Sequence, residues 1–254
     1  MAKYLYSSMT LKVIFIIMGC VTTATVLYTL LTDGSPFRKD LLSPWMTATL
    51  VDFYINVTVL AVWVCYKESS WFAAALWVVL LVCFGSITTC LYISIQLFLL
   101  TAEESADDPM YHILLRRRQN QKDVGKRSSV PLITARVAFG VLGCLMFGVL
   151  IYTLLTDGSP FHKDIITPWL AATLIDFYIN VAALSVWIGY KESSWIMASI
   201  WIILLVCSGS IATCAYIVRH LLLLSSDDPL ELVLLNSRLS YLCRAESRYE
   251  AACG

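Results

Sequence analysis

Residues 44–57 read PWMTATLVDFYINV and residues 168–181 read PWLAATLIDFYINV. Both are apolar stretches with an aspartate near the middle, Asp52 and Asp176, separated by an offset of 124 residues. The same offset carries LYTLLTDGSPFRKDLLSPW at 27–45 onto IYTLLTDGSPFHKDIITPW at 151–169, and YKESSW at 66–71 onto YKESSW at 190–195. The chain is an internal duplication, so whatever one copy folds into, the molecule holds twice. DDP at 107–109 and DDP at 227–229 differ by 120, which places a gain or loss of four residues near the end of the third apolar run.

The 254 residues are 59% hydrophobic and 14% charged, with a mean hydropathy of +0.74; soluble domains carry roughly 25% charged residues. Six apolar runs, near 10–32, 44–65, 71–100, 132–155, 168–189 and 195–224, are long enough to cross a hydrocarbon core of about 30 Å. The third and sixth are longer but have no Pro or charge cluster at their middle. Each is expected to form one long helix, tilted or kinked at Gly85-Ser86 and Gly209-Ser210. Three spans per copy is an odd number, so the second copy has to cross in the opposite sense. The expected fold class is an all-α membrane protein, six transmembrane helices as two three-helix repeats of inverted topology, with sites near the midplane at the repeat interface. The expected units are 1–105, a first three-span repeat; 106–130, a basic linker with an interfacial segment; 131–225, a second three-span repeat; and 226–254, an amphipathic C-terminal tail.

The linker carries Arg116, Arg117, Arg118, Lys122, Lys126 and Arg127, which makes it cytoplasmic by the positive-inside rule and puts both termini outside or in a lumen. Arg238, Arg244 and Arg248 in the tail then oppose that bias. Formal net charge is zero, so no field points to nucleic acid. The cysteines fall mostly inside the spans as small hydrophobes, and no CxxC or Cys/His set suggests a metal. No phosphate or dinucleotide motif calls for a cofactor. The first run is longer than a signal-peptide core and is read as a mature span.

Ser43-Pro44 and Thr167-Pro168 have the form of an N-cap followed by Pro at the first helical position. Asp52, eight residues on, then lies about 12 Å into the core. Trp45, Thr49, Asp52, Asn56 and Trp63 share one helix face, and Trp169, Thr173, Asp176, Asn180 and Trp187 repeat it. A carboxylate in hydrocarbon is costly and marks an ion path, a proton relay or a ligand site. The alternative is a protonated acid that serves helix packing alone. An inverted axis allows Asp52 and Asp176 to meet, and two close carboxylates titrate as a coupled pair suited to carrying a proton; whether they meet is left open by the sequence.

Lys67-Glu68 and Lys191-Glu192 close the second run of each copy. They are gate candidates as ion pairs; as structure, they are snorkelling charges beside the interfacial Trp71 and Trp195, with Ser70 or Ser194 as a cap. TDGSPFRKD, with Asp33 and Asp40, and its copy with Asp157 and Asp164 read as polar turns. Gly19, Thr22, Gly85, Ser86, Gly143, Gly209 and Ser210 supply small residues for close helix packing or for a pore lining. DDPMYHILLRRR has the pattern of an interfacial segment gripping anionic lipid through Arg116, Arg117 and Arg118, and DDPLELVLLNSRLSYL matches it. His112, His162 and His220 are scattered, and no Ser/His/Asp set is present.

With its mid-span Asp, the Glu that closes that span and the following LWVVLLVCFGS or IWIILLVCSGS, each half resembles a family of short bacterial three-pass proteins of unknown function. The duplicated whole, through PWxxATLxDFYIN and YKESSW, resembles a plant family of uncharacterised multi-pass membrane proteins. The resemblance implies a two-copy membrane domain and brings no activity. The small multi-pass form with buried acids is also similar to membrane terpene cyclases, without a shared motif.

The expected function is an integral membrane transporter or channel in which Asp52 and Asp176 handle a proton or cation, with Asn56, Asn180, Thr49 and Thr173 as neutral ligands and Trp45 and Trp169 bounding the site. One alternative is a membrane-embedded isoprenoid or lipid enzyme, or a binding protein, with an Asp as general acid and Trp45, Trp63, Trp169 and Trp187 around an apolar pocket. The other is an assembly subunit. The bilayer is the expected partner, and a homodimer stays open.

Overall fold

The computed structural model describes residues 7–36, 38, 41–115, 132–159, 167–225 and 230–236. Within them all regular structure is helical. The first copy comprises α1 (Ser8–Asp33), α2 (Pro44–Lys67), α3 (Trp71–Phe84), α4 (Ser86–Phe98) and the short α5 (Ala102–Asp107) and α6 (Pro109–Leu114). The second comprises α7 (Leu132–Asp157), α8 (Pro168–Lys191), α9 (Trp195–Ser208) and α10 (Ser210–Leu222), followed by a 3-10 turn, Leu230–Val233.

The second helix of each copy starts where the sequence places it. Ser43 Oγ accepts from Met46 N and Thr167 Oγ1 from Leu170 N, both at 3.1 Å, with Pro44 and Pro168 at the first helical position. Each supplies an acceptor to an otherwise orphaned N–H. Ser70 and Ser194 precede α3 and α9 in the cap position, but their side chains make no capping bond, so the expected cap there is positional only.

The third apolar run is not a single helix. It breaks at Gly85 (φ +52°), as the sixth run does at Gly209 (φ +55°), a conformation open to glycine, and each then folds back. Thr88 Oγ1 donates to Leu80 O at 2.9 Å and the Trp77 and Tyr92 rings lie 4.9 Å apart. In an unbroken helix Trp77 and Tyr92 would be about 22 Å apart. Tyr92 Oη also donates to Glu68 Oε1 at 2.8 Å, at the very end of α2 from which the run set out. The second copy repeats this with Trp201–Tyr216 rings at 5.0 Å and Tyr216 Oη to Glu192 Oε1 at 3.0 Å. α3–α4 and α9–α10 are therefore helical hairpins.

This corrects the six-helix inverted arrangement. A run that returns to its starting end adds no crossing, so each copy has an even number of long helices and the copies run in the same sense. Leu41 and Met46 at the start of α2 cluster with Trp169 and Leu170 at the start of α8. At the other end, Lys67 Nζ donates to His112 O and Leu115 O at 2.6 Å, while Tyr190 Oη near the end of α8 reaches Asp108 Oδ2 at 2.8 Å. α2 and α8 are thus parallel. Among the described residues four helices, α1, α2, α7 and α8, are long and apolar enough to cross a membrane.

The start of α1, the ends of both hairpins and the start of α7 gather at the end where α2 and α8 finish. Lys12 Nζ sits 4.9 Å from the Phe98 ring centroid, and Arg136 donates to Leu221 O and Leu224 O at 2.8–3.1 Å. That puts the start of α1 at the same end as Leu115 and Leu132, the described residues on either side of the linker, against the expectation drawn from inversion. The segment expected to lie on lipid is instead partly core: Pro109, Met110, Ile113 and Leu114 are buried, as are Leu232, Val233 and Leu235. Arg116, Arg117 and Arg118, together with Asp40, His162 and Asp164, lie outside the described residues. Outward faces of α1, α3, α7 and α9 expose large apolar side chains such as Leu31, Phe72, Leu155 and Ile196, a surface compatible with an integral membrane protein.

Candidate functional site

α4 packs on α1 of its own copy and on α8 of the other; α10 packs on α7 and on α2. This exchange brings each hairpin tip to the aspartate of the opposite copy. Asp52 Oδ1 accepts from Ser210 N at 2.7 Å, and Asp176 Oδ1 accepts from Ser86 N at 2.7 Å. A helix that begins inside the bundle has backbone N–H groups without intrahelical partners and a partial positive charge at its start. A carboxylate from across the interface meets both needs. The approach is close: a Cβ on Gly209 would lie 2.7 Å from Asp52 Oδ1, and one on Gly85 would lie 2.9 Å from Asp176 Oδ1 and 2.6 Å from Phe53 Cζ.

One turn further along, the pairing repeats. Asn56 Oδ1 accepts from Thr213 Oγ1 and Asn180 Oδ1 from Thr89 Oγ1, both at 2.8 Å. Both asparagines are 0% exposed and the Nδ2 of each has no hydrogen-bond partner. Turning the amide over would leave the oxygen unpaired instead, so each site holds half of a buried amide unsatisfied. The copies differ beside the tips. Thr22 Oγ1 lies 3.1 Å from Ser86 Oγ, whereas Met146 occupies the position equivalent to Thr22.

The expected site residues thus divide. Asp52, Asn56, Asp176 and Asn180 face the interface together, each pair against the hairpin of the other copy. The hydrogen bonds of each carboxylate run to a hairpin tip and not to the other carboxylate, so the question the sequence left open is answered by two exchange-related sites rather than a coupled pair. Thr49 and Thr173 turn their hydroxyls back to Trp45 O and Trp169 O at 2.8 and 2.9 Å. Trp45 and Trp169 are buried near the helix starts, with Nε1 unpartnered. Trp63 and Trp187 donate to Leu114 O and Leu234 O at the far end of the same helices, about 27 Å away along the axis, so the four tryptophans do not surround one pocket.

The described contacts of the gate candidates run to the hairpins and to the segments that follow them. Lys67 and Lys191 clasp the segments after each hairpin: Lys67 through the two carbonyls given above, Lys191 through Leu232 O and Leu235 O at 3.3 and 2.9 Å. Glu68 and Glu192 receive the hairpin tyrosines. What sequence reasoning missed is the partner set: Ser86, Thr89 and Tyr92, with Ser210, Thr213 and Tyr216. Their signal is a Gly-Ser pair with Thr and Tyr following at helical spacing, repeated at the offset of 124. An apolar cavity of about 200 Å³, bounded by Leu11, Val186, Gly189, Trp195 and Ile202, lies between the copies and includes neither aspartate.

The chain belongs to the family described as "Protein of unknown function (DUF1475)", whose profile matches it twice, over residues 5–121 and 117–240. The molecule is a two-copy form of that domain. No curated protein and no solved structure matches it.

Proposed function

We propose that this member of a family without an assigned function is an integral membrane transporter or channel in which Asp52 and Asp176 handle a proton. Its frame is four crossing helices and two hairpins that enter the bilayer and return. Non-helical backbone at membrane depth is tolerated only where it is buried in protein or lines a cavity. The Gly85 and Gly209 turns meet that condition against Asp176 and Asp52, which is a physical reason for an acid in each copy.

The observation that carries the reading is the carboxylate held at the first turn of a hairpin helix beside a half-satisfied, fully buried amide. What surrounds the carboxylate is donors: a backbone N–H and a helix N-terminus. A cation needs several oxygen ligands, and the nearby amide oxygens are already engaged by Thr213 and Thr89. The chemistry therefore favours a proton over a metal ion. Adding it removes the charge from a charge-assisted hydrogen bond roughly twice as strong as a neutral one, and so loosens the tip.

Lys12, Lys67, Arg136 and Lys191 gather at one end of the bundle, which we assign to the cytoplasm. Anionic lipid facing that end is the natural partner of Arg116, Arg117 and Arg118. Occurrence in plants and descent from a short bacterial membrane protein belong to the same proposal. The lipid-enzyme alternative is weakened because the apolar cavity holds no acid.

The test is proton movement into proteoliposomes under an imposed pH gradient, read by dye quenching, for wild type, Asp52→Asn and Asp176→Asn. The expected result is flux in wild type that falls in each variant while thermal unfolding is little changed. Absence of flux in wild type with every counter-ion tried, or flux untouched by both substitutions, refutes the proposal.

A further inference from the structure

Along α10, Ser210, Thr213, Tyr216 and His220 step by three, three and four residues, one face of a helix. Its tip half holds Asp52 and Asn56. Its base holds a second cluster: Glu192 Oε1 accepts from Tyr216 Oη at 3.0 Å, lies 3.3 Å from His220 Nε2 and 3.4 Å from Arg219 Nη1. The His220 ring also packs edge-on against Tyr216, centroids 4.5 Å apart.

The first copy keeps the frame and changes the chemistry. Ser86, Thr89, Tyr92 and Glu68 stand at the equivalent positions, and Tyr92 bonds Glu68 at 2.8 Å. Gln96 replaces His220 and Ile95 replaces Arg219. A glutamine amide has no site that takes up and releases a proton in the aqueous pH range, whereas an imidazole nitrogen has one. The duplication has thus preserved two hairpins while leaving a titratable base under only one of them.

We propose that Glu192 and His220 form a proton-loading site at the base of the second hairpin, serving Asp52 and not Asp176. This rests on the proton-handling reading above. The side chains of His220 and Glu192 are 12% and 10% exposed, at the boundary between the bundle and its end. A proton taken there from water passes to Asp52 at the hairpin tip, about 9 Å beyond Tyr216 along the helix, and the pair returns to its starting charge. The charged and titratable groups facing His220 are Glu192 and Lys191 from α8 and Tyr216 and Arg219 from its own helix; Arg136 of α7 is engaged by the Leu221 and Leu224 carbonyls. Arg219 lies 5.7 Å from the Trp201 ring while its Nη1 keeps its 3.4 Å contact with Glu192 Oε1, so the imidazole shares the carboxylate with a fixed positive charge and is the partner there that exchanges a proton.

The experiment isolates one aspartate at a time in reconstituted protein. In an Asp176→Asn background, infrared difference spectroscopy after a pH jump follows protonation of Asp52; in an Asp52→Asn background it follows Asp176. His220→Gln is expected to slow the Asp52 band by on the order of a hundredfold, the scale of a lost proton-transfer group, and to leave Asp176 unchanged. Gln96→His is expected to accelerate Asp176, a gain that misfolding does not produce. Equal effects on both carboxyls, no effect of either substitution, or carboxyls that never change protonation overturns the assignment. The asymmetry without proton flux would sink the transport reading and leave the loading site standing. Flux with no effect of His220→Gln would do the reverse.

Discussion

Replacing Gly209 by alanine tests the hairpin and the exchanged aspartate together. At φ +55° and ψ −129° the backbone is in a region that a side chain enters at a cost of about 1–3 kcal/mol. The new Cβ would lie 2.7 Å from Asp52 Oδ1 and 2.8 Å from Cγ, so the carboxylate has to withdraw. Ser210 N then loses a charged acceptor now at 2.7 Å, worth about 1.5–3 kcal/mol. Together these give about 2.5–6 kcal/mol, a large part of a typical total stability of about 5–15 kcal/mol. Gly140→Ala is the control: nothing lies within 4 Å of its added Cβ and it sits inside α7, so it is neutral or up to about 1 kcal/mol stabilising. Reversible unfolding in mixed micelles measures both. Because Asp52→Ala removes the obstructing carboxylate, the double variant with Gly209→Ala is expected to be less destabilised than the sum by about 1.5–3 kcal/mol. Strict additivity, or a Gly209→Ala variant that behaves like Gly140→Ala, would refute the reasoning.

Labelling with an impermeant thiol reagent distinguishes the topologies. In a background without other accessible cysteines, Lys122→Cys and Arg238→Cys are expected to react from one side of the membrane, and Lys39→Cys and Lys163→Cys from the other; an inverted six-span chain would separate Lys122 from Arg238. Lys191→Met removes donors to two carbonyls and is expected to cost about 1.5–3 kcal/mol and to speed proteolysis of the segment after Leu224, with no change in cleavage speaking against the clasp. Asn56→Leu deletes an amide that is half unsatisfied, and Thr213 Oγ1 retains Gly209 O at 3.4 Å as an alternative acceptor. Its stability should stay within about 1 kcal/mol of wild type while proton flux falls; unaltered flux would remove Asn56 from the site.

The sequence by itself determined what is local or compositional. The offset of 124 exposes the duplication, and the hydropathy marks the membrane class. Ser43-Pro44 and Thr167-Pro168 locate two helix starts, because an N-cap and a pre-set φ act within four residues. The stripe of Asp52 and Asn56 follows from helical periodicity alone. Even the break points were visible as Gly85-Ser86 and Gly209-Ser210. Direction was not: about 28 apolar residues suit one helix of about 42 Å or two of about 20 Å folded back, since burial in hydrocarbon rewards apolar area and is indifferent to the path. Only contacts such as Tyr92–Glu68 and Thr88–Leu80 decide between them. Once the third run returns, the parity of crossings changes, the copies become parallel, and each aspartate meets the other copy's hairpin instead of its twin. Asp52 lies 158 residues from Ser210, and hydrogen bonds across that distance are set by packing that no local pattern encodes.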